Sequence, residues 1–148
     1  MDVSSRQVSR AATRLDELLT AWRDRDPGVY RYVVLDAQYE KVRQGGQVLD
    51  TAVPIACGID ANGRRDVLGC SVSLSEAEVH WRTFLTSLKD RGLYGFEFIV
   101  SDAHEGLQAA RRAVFPCVPW QRCQFYLQQN AGMMSANANA NTLFHLAH

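Results

Sequence analysis

The stretch Tyr30–Ser73, YRYVVLDAQYEKVRQGGQVLDTAVPIACGIDANGRRDVLGCSVS, decides how the rest of the chain is read. It is rich in β-branched and aromatic residues, which favour a pleated, half-buried backbone. Two glycine-containing dipeptides, Gly45-Gly46 and Asn62-Gly63, punctuate it. Both are favoured at two-residue hairpin turns, where the backbone needs positive φ. The pattern predicts three antiparallel strands, approximately 30–43, 47–59 and 64–73. Pro54 interrupts the second, and because proline offers no ladder donor, a bulge or an unpaired position is expected there.

Downstream, Ser75 and Glu78 have the S-x-x-E spacing of a capping box, ahead of Trp81, Phe84, Leu85 and Leu88 at helical steps. Gly92 ends that helix, and YGFEFIV reads as a short buried strand leading to Asp102. A second helix is expected over about 103–114, with Leu107, Ala110 and Val114 facing inward. Pro116 and Pro119 bracket a turn, and VPWQRC supplies one more short strand. Upstream, Val8, Ala12, Leu15, Leu18, Leu19 and Trp22 form a helical stripe from Ser5 to about Asp24, closed by Pro27 and Gly28. Its other face carries Arg6, Arg10, Arg14 and Arg23 among Asp16, Glu17 and Asp24. A solvated face is the simpler reading of those charges, and a phosphate-contacting one the alternative.

With 148 residues there is room for one core and not for two ordinary domains. The composition, 47% hydrophobic and 22% charged, is that of a globular protein, and no apolar run approaches the roughly 18 residues of a membrane span. The first residues carry no signal-peptide pattern, so a cytoplasmic location and no membrane partner are expected. Sixteen basic and 16 acidic residues cancel, so any surface for nucleic acid must be local. The spacing of Cys57, Cys70, Cys117 and Cys123 matches no zinc motif, and reduced, mostly buried thiols are expected. After Arg122 the chain has no Asp, Glu, Lys or Arg, where average usage would place roughly six or seven, and SANANANTL adds low complexity. Some helix is expected between Cys123 and about Asn130.

The order βββαβα requires the fourth strand to join by a crossover, giving a mixed sheet with flanking helices. The first and fourth strands can then lie side by side, with Asp36 of VVLDAQY and Asp102 of IVSDAHE as neighbours. Two carboxylates so placed repel unless a cation neutralises them, and a divalent ion with hard oxygen ligands is the usual one. A second reading stands beside this one. Asp102 with Glu105 is itself a helix-capping pattern that needs no metal. Asp36, in mid-strand, has no helix to cap.

The segments VVLDAQYEKVR, GRRDVLGCSVSLSEAEVHWRTFLTSLKDRGL, VSDAHEGLQAARRAVFP and WQRC together resemble the bacterial insertion-sequence transposases of the Mutator type, over about 4–130. The resemblance implies an RNase H-like fold and a DDE-type transposase that cuts the ends of its element and joins free 3′-hydroxyls to target DNA. It implies Asp36 and Asp102 as catalytic and metal ligands, Mg²⁺ or Mn²⁺ as cofactor, and element-end and target DNA as partners. Two departures stand out. The family's third ligand, a glutamate after a mostly helical insertion, has no counterpart, since Glu105 is the last acidic residue. Tyr126 occupies the histidine place of the family's C-x-x-H signature after Cys123, and tyrosine cannot supply a neutral imidazole. His104 and Arg122 are candidate DNA contacts.

Family members also carry a DNA-binding region ahead of the catalytic domain. The expected organisation is therefore a connector helix (1–29), a partial RNase H-like catalytic domain (30–123) whose C-terminal part is missing, and the start of the insertion with an aberrant tail (124–148). Three functions follow as expectations. The first is a transposase fragment whose missing ligand comes from elsewhere. The second is a non-catalytic remnant that associates with or inhibits a full-length partner or forms a homo-oligomer. The third is a separate RNase H-like nuclease.

Overall fold

In a computed structural model, which describes residues 4–125 and 128, five strands and three helices follow the chain. They are α1 (Ser5–Asp24), β1 (Tyr32–Gln44), β2 (Gln47–Ile59), β3 (Arg65–Cys70), α2 (Glu78–Asp90), β4 (Phe98–Ser101), α3 (Glu105–Val114) and β5 (Trp120–Arg122). The strands form one open mixed sheet in the order β3-β2-β1-β4-β5. β1, β2 and β3 pair antiparallel, while β4 joins β1, and β5 joins β4, in parallel. Among the described residues no helix is long and apolar enough to cross a membrane.

The first hairpin forms as its glycines dictate. Gly45 and Gly46 have φ of 58° and 81°, and Gln44 pairs with Gln47 across a two-residue loop. The second turn differs from expectation. Only Gly63 takes positive φ (81°), and the chain instead loops over residues 60–64. The Asp60 carboxylate holds this loop by accepting from the backbone N–H of Asn62 (2.8 Å) and Arg64 (2.9 Å). Those two bonds replace the paired positive-φ residues that a tight hairpin needs.

Pro54 shapes the far side of β2. Its carbonyl accepts from Ser71 N–H (3.0 Å), but it has no N–H to return, and β3 ends one residue earlier at Cys70. Pairing resumes as an isolated bridge between Ala52 and Ser73. The expected break in the ladder is therefore at the proline. The bulge lies elsewhere, between Ala56 and Cys57, where Leu68 is the extra residue.

α2 and α3 pack against each other over the sheet. The core joins Val33 and Leu35 of β1, Ala56 of β2, Leu68 of β3 and Ile99 of β4 to Trp81, Phe84, Leu85 and Leu88 of α2, and to Leu107, Ala110 and Val114 of α3. The helical spacing in α2 thus meets the strand alternation across one interface. Gly106 lets the helices come close, because a Cβ there would run into the backbone of Glu76 and Glu78. The predicted capping box is absent. Ala77 is the N-cap of α2 and makes no side-chain bond, while Ser75 Oγ accepts from Ala77 N–H in a turn that precedes the helix. β4 is shorter than YGFEFIV suggests, because Gly95 at φ 75° breaks the extended backbone and leaves Tyr94 exposed.

The four cysteines are free, and two of them, Cys70 and Cys117, are exposed, against the expectation of mostly buried thiols. β3 and the turn after α3 leave these positions uncovered. The expected helix over 123–130, Tyr126 and the uncharged tail lie wholly or largely outside the described residues.

Candidate functional site

The parallel register of β1 and β4 fixes where the two aspartates stand. Tyr32, Val33 and Val34 pair with Phe98, Ile99 and Val100. Asp36 and Asp102 each lie two residues beyond the last pair on adjacent strands about 4.8 Å apart, Asp36 within β1, which runs on to Gln44, and Asp102 just past the end of β4. Asp36 shares a face of β1 with Tyr32, whose ring packs on Phe98 at 4.5 Å. This face is opposite the one bearing Val33 and Leu35, which the helices cover. Both aspartates are half-buried.

Each carboxylate also makes a local bond. Asp36 Oδ1 accepts from Ala37 N–H (3.0 Å) and Asp102 Oδ1 from His104 N–H (3.2 Å). The capping reading of Asp102 is thus met in part. The bond goes to His104, the N-cap residue of α3, and Glu105 opens the first turn, where its charge favours the helix dipole.

A buried polar group beneath Asp102 was not legible in the sequence. Ser101 is 1% exposed, and its Oγ donates to the Asp102 carbonyl (2.7 Å) while accepting from Trp120 Nε1 (2.9 Å) and Gln108 Nε2 (3.3 Å). Gln108 Nε2 also donates to the Asp102 carbonyl (3.2 Å). Arg111 stands over the Trp120 ring at 5.7 Å and donates to the Gln108 side-chain oxygen. One serine hydroxyl therefore ties β4, β5 and α3 together where the backbone leaves the sheet for Asp102. The sequence signal was faint, a serine in an apolar strand and a glutamine on the inner side of an amphipathic helix.

His104 faces the segment just before α2 rather than standing alone. Its Nδ1 is buried and lies 3.9 Å from Glu76 Oε2, too long for a hydrogen bond. Tyr39 of β1 stands beside Glu76, and its phenol pKa is raised first by desolvation and then by the Glu76 charge. Tyr39, Glu76 and His104 line one side of an open cleft of about 630 Å³. Glu76 escaped the sequence reading because it stands at an unassigned position between Ser75 and Glu78 of the supposed capping box. Arg122 pairs with Ser101 at the end of β5, on the far side of β4 from Asp36, and its buried Nε has no partner among the described residues.

Two half-buried carboxylates offer hard oxygen donors that suit Mg²⁺ or Mn²⁺, which are commonly held by one or two carboxylates together with phosphate oxygens. No group of three or more His, Cys, Asp or Glu able to hold a metal occurs among the described residues. Neither Glu76 nor His104 completes such a set.

A sequence model of the family described as "Transposase, Mutator family" matches residues 1–146. The chain belongs to the Mutator family of transposases. It is 59% identical over 140 residues to the transposase for insertion sequence element IS406 of Burkholderia multivorans, covering 95% of this chain and 36% of that protein. It is 45% identical over 129 residues to the transposase for ISRM5 of Rhizobium meliloti, covering 86% and 32%. With the transposase for IS256 in transposon Tn4001 of Staphylococcus aureus the identity is 39% over 130 residues, covering 86% and 33%. The chain spans about a third of the length of these curated relatives.

Proposed function

We propose that this Mutator-family chain supplies the first two acidic ligands of a DDE-type DNA transposase with an RNase H-like catalytic fold. The single observation that carries the reading is the parallel β1–β4 register, which sets Asp36, within β1, level with Asp102, just past the end of β4. The strand order β3-β2-β1-β4-β5 is consistent with that fold. Residues 1–29 serve as a connector helix, 30–123 as part of the catalytic domain, and 124–148 as the start of an insertion and an uncharged tail. The partners are insertion-sequence ends and target DNA.

In this reading Asp36 and Asp102 would hold Mg²⁺ or Mn²⁺, which would supply Lewis-acid polarisation of a phosphodiester, or, as a pair of ions, charge stabilisation for the attacking and leaving oxygens of an in-line displacement. Ser101 and Gln108 fix the backbone from which the Asp102 carboxylate projects. His104 and Arg122, to either side of that strand end, are the candidate phosphate contacts.

A second reading follows from the absence of a three-residue acidic set among the described residues. Alone, the chain binds metal weakly and does not cut, and it acts through a full-length transposase, either by completing an assembly or by inhibiting it. A general RNase H-like nuclease is the third reading, and hydrolysis of RNA–DNA hybrid without strand transfer would favour it.

The test is Mn²⁺ binding followed by NMR line broadening, paired with cleavage and strand transfer on element-end DNA. Broadening centred on Ala37 and Ala103, and weakened at least about tenfold by Asp36→Asn or Asp102→Asn, is expected. Binding unchanged in both variants would overturn the assigned ligands. Binding without cleavage selects the second reading.

A further inference from the structure

Nδ1 of His104 is buried and has no hydrogen-bond partner among the described residues, yet it faces a carboxylate. Glu76 Oε2 stands 3.9 Å away, less than about 1 Å beyond hydrogen-bond range. The two side chains differ in exposure. Glu76 is 11% exposed and His104 39%, so the carboxylate is nearly sealed while the far edge of the imidazole stays open to the cleft that both residues line.

Contacts between distant segments build this meeting. Ser73 bridges to Ala52 of β2, and its hydroxyl donates to the Ser75 carbonyl, which carries the chain from β3 toward α3. Gly106 has no Cβ to hold off the backbone of Glu76 and Glu78, so that segment closes on the first turn of α3. The Asp102 carboxylate accepts from His104 N–H (3.2 Å) and fixes where the imidazole starts.

We propose that Glu76 is a positioning residue for His104, engaging Nδ1–H so that Nε2 is the nitrogen offered to a DNA backbone in the cleft. An ionised carboxylate only accepts hydrogen bonds, so the nitrogen that faces it must be the one carrying hydrogen. A buried nitrogen left unpaired is costly, and closing the short gap to Glu76 removes that cost. The orientation is the same in both charge states of the ring. As an imidazolium, His104 donates from Nε2 to a phosphoryl oxygen, and as a neutral ring it accepts there from a hydroxyl or water. Glu76 touches no DNA in this arrangement and acts through the ring. The pairing stands on the geometry alone, whereas the DNA contact rests on the transposase reading.

Two readouts on the full 148-residue chain separate those parts. The first is the ¹⁵N spectrum of the imidazole rings at a pH of about 8.5, above the ordinary histidine value of about 6.5. His104 is assigned by the loss of its signals in His104→Asn. The Nδ1–H tautomer is expected. Glu76→Gln, which keeps an acceptor oxygen, should retain it, and Glu76→Ala should move the ring to the Nε2–H tautomer. A wild-type ring in the Nε2–H form, or a tautomer indifferent to Glu76→Ala, overturns the pairing. The second readout is fluorescence anisotropy in EDTA with a labelled mixed-sequence duplex of about 30 base pairs, since backbone contacts do not depend on sequence. Glu76→Ala and His104→Asn should each weaken binding about threefold to tenfold, and the double variant should bind no worse than His104→Asn alone. Absence of duplex binding, binding unchanged in both single variants, or losses that add in the double variant overturn the DNA contact and leave the tautomer result standing.

Discussion

α1 and α2 carry the same kind of sequence, an amphipathic helix with apolar residues at three- and four-residue steps, yet they meet opposite fates. In α2 the stripe Trp81, Phe84, Leu85 and Leu88 is sealed against the sheet and α3. In α1 the stripe stays in solvent along nearly its whole length. Periodicity reports that a helix has a face to bury, and it is silent on what will bury it. The partner of α2 arrives within the described chain, when β4 and α3 complete a sheet with a helical layer. No described element reaches α1 beyond the anchor near Trp22, Arg25 and Arg91.

The largest effect that would break this contrast comes from trimming each stripe. Trp81→Ala empties a fully buried site and is expected to cost about 3–5 kcal/mol in denaturant unfolding. Leu15→Ala should stay within about 0.5 kcal/mol. Equal losses in the two variants would mean that α1 is packed after all.

An intermediate effect lies in the polar part of the same core. Ser101→Ala leaves the indole N–H of Trp120 without its acceptor and removes one of the two acceptors of the Gln108 amide, both beneath the sheet end. A loss of about 1–3 kcal/mol is expected. Mn²⁺ binding should weaken as well, because the Asp102 backbone loses the bond from Ser101. Thr13→Ala removes a comparable hydroxyl bond to the Ser9 carbonyl on exposed α1 and is expected to be nearly silent.

The smallest effect concerns the exposed turn between β2 and β3, held like the start of α1 by local bonds alone. The Arg64 N–H, ahead of the Asn62 N–H and the Arg64 charge, holds the Asp60 carboxyl below its usual range. A lowered carboxylate pKa contributes stability above the ordinary value of about 3.9 and loses it as pH falls through the depressed value. The stability difference between wild type and Asp60→Ala should therefore narrow as the pH drops below about 4. A difference independent of pH would show that the charge of Asp60 does not matter to the turn.

Much of the candidate site's placement was legible before the structure. The run VVLDAQY fixed Asp36 within a strand, and IVSDAHE fixed Asp102 at the end of another, because strand propensity and helix-start signals act over a few residues. The rule that a crossover returns a strand in parallel allowed them to be neighbours, and the placement of β4 beside β1 rather than β3 came from the tertiary structure. Ser101, Gln108 and Glu76 were not legible. Ser101 and Glu76 matter through neighbours distant in sequence, Trp120 for the first and His104 and Tyr39 for the second, and Gln108 through the Asp102 carbonyl across the turn that starts α3. The capping box at Ser75 and Glu78 misled for the opposite reason. It is a local pattern, and the chain there is governed by Ser73, whose backbone bridges to Ala52 of β2 and whose hydroxyl bonds the Ser75 carbonyl.

The sequence by itself determined the helices' inner faces, the Gly45-Gly46 hairpin, the interruption at Pro54 and the place of Asp36 within one strand and of Asp102 after another. These follow from φ restrictions, missing donors and side-chain periodicity, all properties of a residue and its near neighbours. Only the tertiary structure decided the register that aligns Asp36 with Asp102, the hydroxyl that secures the second of them, and which amphipathic helix would be buried. Those outcomes depend on contacts between segments far apart in the chain, where burial and hydrogen-bond satisfaction are set by the whole assembly of elements.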